Sequence, residues 1–164
     1  MEGMINIYTD GGCSGNPGPG GWAYVIMGSG EWGAGSGEGE PCCLAEKWGA
    51  EKATTNNRME LKAVISALEA LPSLSLEASA GTEKIAVYTD SQYVQKGMTI
   101  WIKDWKKRGW KTAGKEPVKN QDLWQSLDAL SGGFLIDWVW VKGHAGNKYN
   151  ERCDELTQKA IASI

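Results

Sequence analysis

Apolar positions along this chain follow two rhythms, compact strand-like runs and stripes at helical spacing. "MINIYTD" (4–10) and "GWAYVIM" (21–27) read as strands. Between them, positions 11–20 hold five glycines and two prolines, which forbids a helix and suits a close, hairpin-like connection. A third strand is expected around 43–51, after the Gly-rich stretch "GSGEWGAGSGEGEP" of the 28–42 insertion loop. "TTNNRMELKAVISALEAL" then carries Met59, Leu61, Val64, Ala67, Leu68 and Leu71 on one helical stripe, with Asn56 or Asn57 as the expected cap. A loop over 72–83 leads into a strand at 84–89, and "SQYVQKGMTIWI" reads as a helix. "QDLWQSLDAL" is a short amphipathic helix, "FLIDWVWVK" an alternating strand, and "NERCDELTQKAIASI" a final helix capped by Asn150. The order β-β-β-α-β-α-α-α-β-α predicts an α/β fold: a mixed sheet, antiparallel first and parallel later, with helices packed on it.

Composition narrows this picture. A chain of 164 residues, 41% of them hydrophobic, suits one domain over 1–164 with a single core. No run of about 18 apolar residues is present to span a bilayer, and "MEGMINIYTD" has neither the basic start nor the long apolar run of a signal peptide. Cys13, Cys42, Cys43 and Cys153 show no zinc or redox spacing and read as free thiols in a reducing, cytoplasmic setting.

The net charge of −3 argues at first against a nucleic-acid partner, but it hides an asymmetry. Residues 103–119 hold seven basic side chains (Lys103, Lys106, Lys107, Arg108, Lys111, Lys115 and Lys119) against Asp104 and Glu116, a local excess of five that leaves the remainder at −8. A solvated basic helix face is the better explanation of such a run when it stands alone. Beside an acidic body, it also suits a protein that grips phosphates in one place and cations in another.

The acidic body has its own pattern. "YTD" closes two strand-like runs, as Tyr8-Thr9-Asp10 and Tyr88-Thr89-Asp90. Side chains alternate along a strand, so Asn6, Tyr8 and Asp10 share a phase, as do Ala86, Tyr88 and Asp90. If the two strands are parallel neighbours, both carboxylates leave the sheet at its carboxyl end, the edge where open α/β sheets place ligands. Two such acids repel unless something positive sits between them, and a divalent cation is the natural candidate. Glu60, about 100° around its helix from the core residue Leu61, can look along that edge; as a first-turn acid it also complements the helix dipole. In the final helix Glu151, Asp154 and Glu155 compete for a fourth place, and spacing does not choose among them.

Six motifs, "YTDGGCSGNPGPGGW", "TTNNRMEL", "YTDSQYV", "WKKRGWKT…PVKNQDLW", "VKGHAG" and "NERCDEL", occur in an order that resembles the type 1 ribonucleases H of bacteria. The resemblance covers nearly the whole chain and is weak at 28–50 and 72–83. It implies the ribonuclease H-like fold, a five-stranded mixed sheet flanked by helices with a basic protrusion. It also implies hydrolysis of the RNA strand of RNA–DNA hybrids with two Mg²⁺ ions (Mn²⁺ as substitute), leaving 5′-phosphate and 3′-hydroxyl ends. The family's four carboxylates fall on Asp10, Glu60, Asp90 and Asp154, and its loop histidine on His144, the single histidine here.

By the same resemblance, Gly11, Asn16, Asn57 and Gln92 lie where the family binds the hybrid. Thr55 and the position of Asp104 hold a DNA phosphate in the family. An aspartate there departs from the usual amide and cannot donate to a phosphate, so the expectation is either a weaker DNA phosphate pocket or compensation by Lys103 or another donor. Trp101 and Trp105, interleaved with lysines such as Lys107, are expected to touch the duplex, and Trp110 to be structural.

A monomer acting on a hybrid duplex, away from membranes, is the resulting expectation. Its rivals are another two-metal nuclease or strand-transfer enzyme of the same fold, and a hybrid-binding module without catalysis, for which a four-acid cluster has no use. A dinucleotide oxidoreductase is disfavoured because "GNPGPGG" precedes a strand rather than a helix. A serine or cysteine hydrolase lacks a nucleophile elbow.

Overall fold

The computed structural model describes residues 4–28, 42–74, 84–142 and 148–164. The 28–42 loop, apart from its ends, and His144 fall outside the described residues. Strands β1 (Met4–Cys13), β2 (Gly18–Gly28), β3 (Cys42–Thr54), β4 (Lys84–Thr89) and β5 (Leu135–Trp140) form one sheet in the order β3-β2-β1-β4-β5. β1 and β3 both pair antiparallel with β2, whereas β4 runs parallel to β1 and to β5. This is the expected mixed sheet with the long strand β1 at its centre.

Helices α1 (Asn56–Ala70), α2 (Gln92–Lys96), α3 (Ile102–Lys107), α4 (Gln121–Ser131) and α5 (Lys148–Ala162) complete the fold. None of the described helices is long and apolar enough to cross a membrane. Strand alternation splits the core in two. Ile5 and Ile7 of β1 join Leu61, Val64, Leu68, Trp124 and Leu127 on the face covered by α1 and α4. Tyr8, Val25 and Met27 meet Cys153 and Leu156 of α5 on the other face.

Several boundaries differ from the sequence reading, each for a local reason. β1 and β2 extend into the Gly/Pro segment, where Gly11 pairs with Trp22 and Gly12 with Gly21, so the connection shrinks to Ser14–Pro17. The cap of α1 is Thr55, not Asn56 or Asn57: its backbone is extended (φ −129°) and its Oγ1 accepts from the Arg58 amide. β3 runs on to Thr54, so the chain enters the helix one residue sooner. α5 begins at Lys148, which puts Asn150 in the first turn rather than at the cap.

The expected helix 91–102 is interrupted. α2 passes through a π-helical turn, Gly97–Trp101, before α3. That wider turn starts where buried Gly97 packs on the ring of Trp124, itself fully buried. A methyl on Gly97 would sit within 2.7 Å of Trp124 Cζ2 and Cζ3.

Gly97→Ala is therefore expected to destabilise the fold by about 1–3 kcal/mol, because neither ring nor helix has room to move. Urea unfolding should show a lower midpoint with an unchanged slope. An unchanged midpoint would mean that the Trp124 contact is loose.

Candidate active site

The parallel register of β1 and β4 sets Tyr8 beside Tyr88 and Thr9 beside Thr89, so the next residues, Asp10 and Asp90, leave the sheet side by side. The phase argument holds at the side chains. The Tyr8 and Tyr88 rings stack with centroids 4.8 Å apart and 12° between planes, which fixes both strands' even positions on the α5 face.

Two helices close on this edge where β1 lacks side chains. A methyl on Gly11 would strike the backbone of Met59 and Glu60, with the Met59 carbonyl at 2.6 Å, so only glycine lets the first turn of α1 bring Glu60 against the strand end. Across the sheet, a methyl on Gly21 would lie 3.0 Å from the Thr157 carbonyl and from Ala160 Cβ. Gly21 thus seats α5, the helix that carries Asp154.

The electrostatics show that the acids meet. The Asp10 carboxyl is pushed up to about 7, first by burial and then by Asp90, with Asp154 and Glu60 adding to the push and the Thr157 hydroxyl opposing it. Glu60 is also raised to about 7, by burial first; a hydrogen bond from Ser91 opposes the shift and Asp90 adds to it. Ser91 is buried, and its Oγ also accepts from the Val94 amide at 3.1 Å as the cap of α2. One hydroxyl therefore anchors a helix start and steadies a carboxylate.

Among the described residues no three His, Cys, Asp or Glu side chains are already drawn into a closed metal cage. The donor set nevertheless suits a hard divalent cation. Carboxylate oxygens converge, burial and mutual repulsion disfavour the charged forms of Asp10 and Glu60, and a proton or a cation relieves that cost.

The remaining sequence candidates spread around this centre. Asn16 is exposed in the β1–β2 turn and accepts from the Asn56 amide at 3.2 Å, tying that turn to α1. Asn57 and Gln92 are exposed at the starts of α1 and α2. Trp101 and Trp105 are half-buried in an aromatic chain in which Tyr93–Trp101, Trp101–Trp105 and Trp105–Trp124 centroids lie 6.0, 5.9 and 5.2 Å apart. Lys107 is exposed at the end of α3, and Trp110 packs against the core.

Asp104 is exposed in the first turn of α3. Near Thr55 the amide is instead Asn120, which accepts from Arg58 Nη1 at 3.3 Å and donates to the Tyr93 hydroxyl at 3.2 Å. Asp122 fixes the same guanidinium at 2.9 and 3.1 Å.

Sequence reasoning missed Arg58, Asn120 and Ser91. Arg58 and Asn120 sit inside quoted motifs without any spacing that marks them. Ser91 had a usable signal, a serine directly before a helical run.

Comparisons with known proteins agree with this fold. The sequence profile of the RNase H family matches residues 2–162. The chain is 53% identical to a ribonuclease H of Treponema denticola, over 98% of each chain. It is 51% identical to one of Chromobacterium violaceum, over 99% of this chain and 98% of that one. Among solved structures, LC9-RNase H1, a type 1 RNase H with the type 2 active-site motif, superposes with TM-score 0.82 at 33% identity, covering 99% of this chain and 74% of that one. LC11-RNase H1, solved in complex with an RNA/DNA hybrid, gives TM-score 0.64 at 26% identity over 97% of each chain.

The raised carboxyls have a consequence for metal-free stability. With Asp10 and Glu60 near 7 when folded and near 4 when unfolded, the native state binds more protons between those values. Stability therefore falls as pH rises through that window and is lowest above it. Each tenfold change in proton affinity is worth about 1.4 kcal/mol. In a chelating buffer at pH 8, Asp10→Asn should raise the unfolding free energy by about 1–3 kcal/mol, the gain shrinking toward pH 5. Equal gains at both pH values would show that charge crowding is not the cause.

Proposed function

The chain belongs to the ribonuclease H family and is an endoribonuclease that cleaves the RNA strand of RNA–DNA hybrids; we propose that it does so with two divalent cations, Mg²⁺ or in its place Mn²⁺, held by Asp10, Glu60, Asp90 and Asp154. One observation carries this reading: the register of β1 and β4 brings Asp10 and Asp90 out side by side, and the close approach of α1 at Gly11 and of α5 at Gly21 brings Glu60 and Asp154 to the same edge. Held by these four carboxylates, divalent cations would supply acidification of a water and compensation of charge on the leaving 3′ oxygen, consistent with 5′-phosphate and 3′-hydroxyl ends.

The chain's own groups position these parts. Asp10, on which the other three acids all act, would be the central member of the set that holds the cations. Ser91 keeps Glu60 oriented, and the Trp140 indole, donating to the Asp90 carbonyl at 3.1 Å, braces the turn that carries Asp90. His144, whose ordinary pKa is near 6.5, moves protons or helps the product leave.

Recognition falls to the rim. Gly11, Asn16, Asn57 and Gln92 read the RNA strand, whose 2′-hydroxyls distinguish it from DNA. Thr55, with the Arg58 guanidinium and the Asn120 amide beside the start of α1, offers a DNA phosphate a helix N-terminus, a cation and an amide. This pocket does not depend on the residue at Asp104. Trp101, Trp105 and Lys107 lay the 103–119 arm along the duplex. The enzyme acts as a single-domain monomer over 1–164 in the cytoplasm.

The experiment is cleavage of an end-labelled hybrid beside RNA and DNA duplexes, with Mg²⁺ or Mn²⁺. Cutting should be confined to the RNA strand of the hybrid. Asn or Gln at each of the four acids should lower the rate at least about 10³-fold, the scale of losing a main electrostatic element of catalysis. Hybrid affinity measured in Ca²⁺ should fall steeply with salt. Tight binding without cutting in either metal would return the protein to the binding-module reading.

A further inference from the structure

α5 contributes more to the site than Asp154. Three residues further on, and so on the same face of the helix, Thr157 is fully buried against β1 and β2. Its Cγ2 is 3.8 Å from where a Gly12 methyl would be, and its carbonyl 3.0 Å from a Gly21 methyl. Gly12 and Gly21 are cross-strand partners, so a glycine pair forms the saddle on which Thr157 rests. Asp10 is two residues before Gly12 and on the same face of β1.

A threonine within a helix usually turns its hydroxyl to the carbonyl one turn back. Thr157 does not. Its Oγ1 is buried and makes no hydrogen bond of ordinary length and angle. The acid beside it is Asp10, which shares with Gly12 the face of β1 that Thr157 packs against. A residue present only to fill the saddle would need no hydroxyl, and an unused one in so dry a place is costly.

We infer that Thr157 is a positioning residue for Asp10, its hydroxyl donating to one carboxylate oxygen and so holding the other toward Asp90 and Glu60. This rests on the reading of Asp10 as a cation ligand. The arrangement has a clear physical use. Asp154 approaches Asp10 from the same helix and repels it, and a donor one turn on gives Asp10 a fixed orientation despite that repulsion. Ser91 does for Glu60, from α2, what Thr157 does for Asp10 from α5.

The test compares Thr157→Val, which keeps the branch and volume but loses the donor, with Thr157→Ser, which keeps the donor. Thr157→Val should lower kcat about tenfold, the lower range of losses on removing a group that orients a ligand. KM for the hybrid should stay unchanged, and the Mg²⁺ concentration giving half-maximal rate should rise. Calorimetric titration of the substrate-free protein with Mg²⁺ should show correspondingly weaker binding, and Thr157→Ser should restore most of both losses.

Wild-type kcat and Mg²⁺ affinity in Thr157→Val, or equal damage in Thr157→Ser, would overturn the inference and leave Thr157 a packing residue. If Thr157→Val does not fold, Thr157→Ala must show the same loss and the same rescue by serine. Asp10→Asn is run alongside. Cutting by that variant sinks the cation-site reading itself, whereas a dead Asp10→Asn with an unimpaired Thr157→Val sinks this inference alone.

Discussion

Two parallel neighbours that each end in an aspartate pose the constraint to which the rest of the fold answers. β1 and β4 are locked in register by six residue pairs, and Asp10 and Asp90 follow directly. Hydrogen-bonded strands lie about 4.8 Å apart, so these carboxylates cannot separate without breaking the ladder beneath them. Bringing Glu60 and Asp154 to the same edge makes matters worse. The molecule holds a cluster that is unfavourable when fully charged, since burial first and mutual repulsion second raise the proton affinities of Asp10 and Glu60. Stability is built elsewhere, in the large core between the sheet and α1 and in the smaller one under α5.

How the acids are delivered follows from what β1 omits. Gly11 admits the backbone of α1 on one face, and Gly21, the cross-strand partner of Gly12, admits α5 on the other. Glycine weakens a strand, yet here the ladder continues through both positions, since β2 pairs with them and a helix covers each side. The Gly/Pro segment is therefore part of the sheet. This explains why a reading that treats glycine and proline as loop punctuation stops both strands too early.

Much of the site could be read from residue order. The shared phase of Asp10 and Asp90 needed only strand alternation and a guess of parallel pairing, and the Tyr8–Tyr88 stack shows both to hold. Choosing Asp154 over Glu151 and Glu155 needed the family resemblance, because all three lie within two turns of one helix. The hydroxyls of Ser91 and Thr157 and the Arg58–Asn120 contact were out of reach for a different reason. Each depends on a meeting of elements far apart in sequence, and a serine, a threonine or an asparagine carries no periodic signal of its own. The π turn at Gly97 belongs with them, since its occasion is the ring of Trp124 on another helix.

The same tertiary meeting links the acidic centre to the basic arm. Ser91 steadies Glu60 and caps α2; one residue past the start of α2, Tyr93 packs on Trp101 and Trp124 and receives hydrogen bonds from the Trp124 indole and the Asn120 amide. Trp105 continues this aromatic chain into α3, whose last turn presents Lys106 and Lys107. The path from Glu60 to the lysines thus runs through packed rings and hydrogen bonds of ordinary length. An arm rooted this way can hold a duplex at a set distance from the carboxylates. On the proposed reading the opposite charges of the two regions would work together, cations drawn to one and phosphates to the other, with the aromatic chain keeping them apart. Had the arm been joined by a flexible linker, its lysines would be free to fold back and neutralise the acids that the cations require.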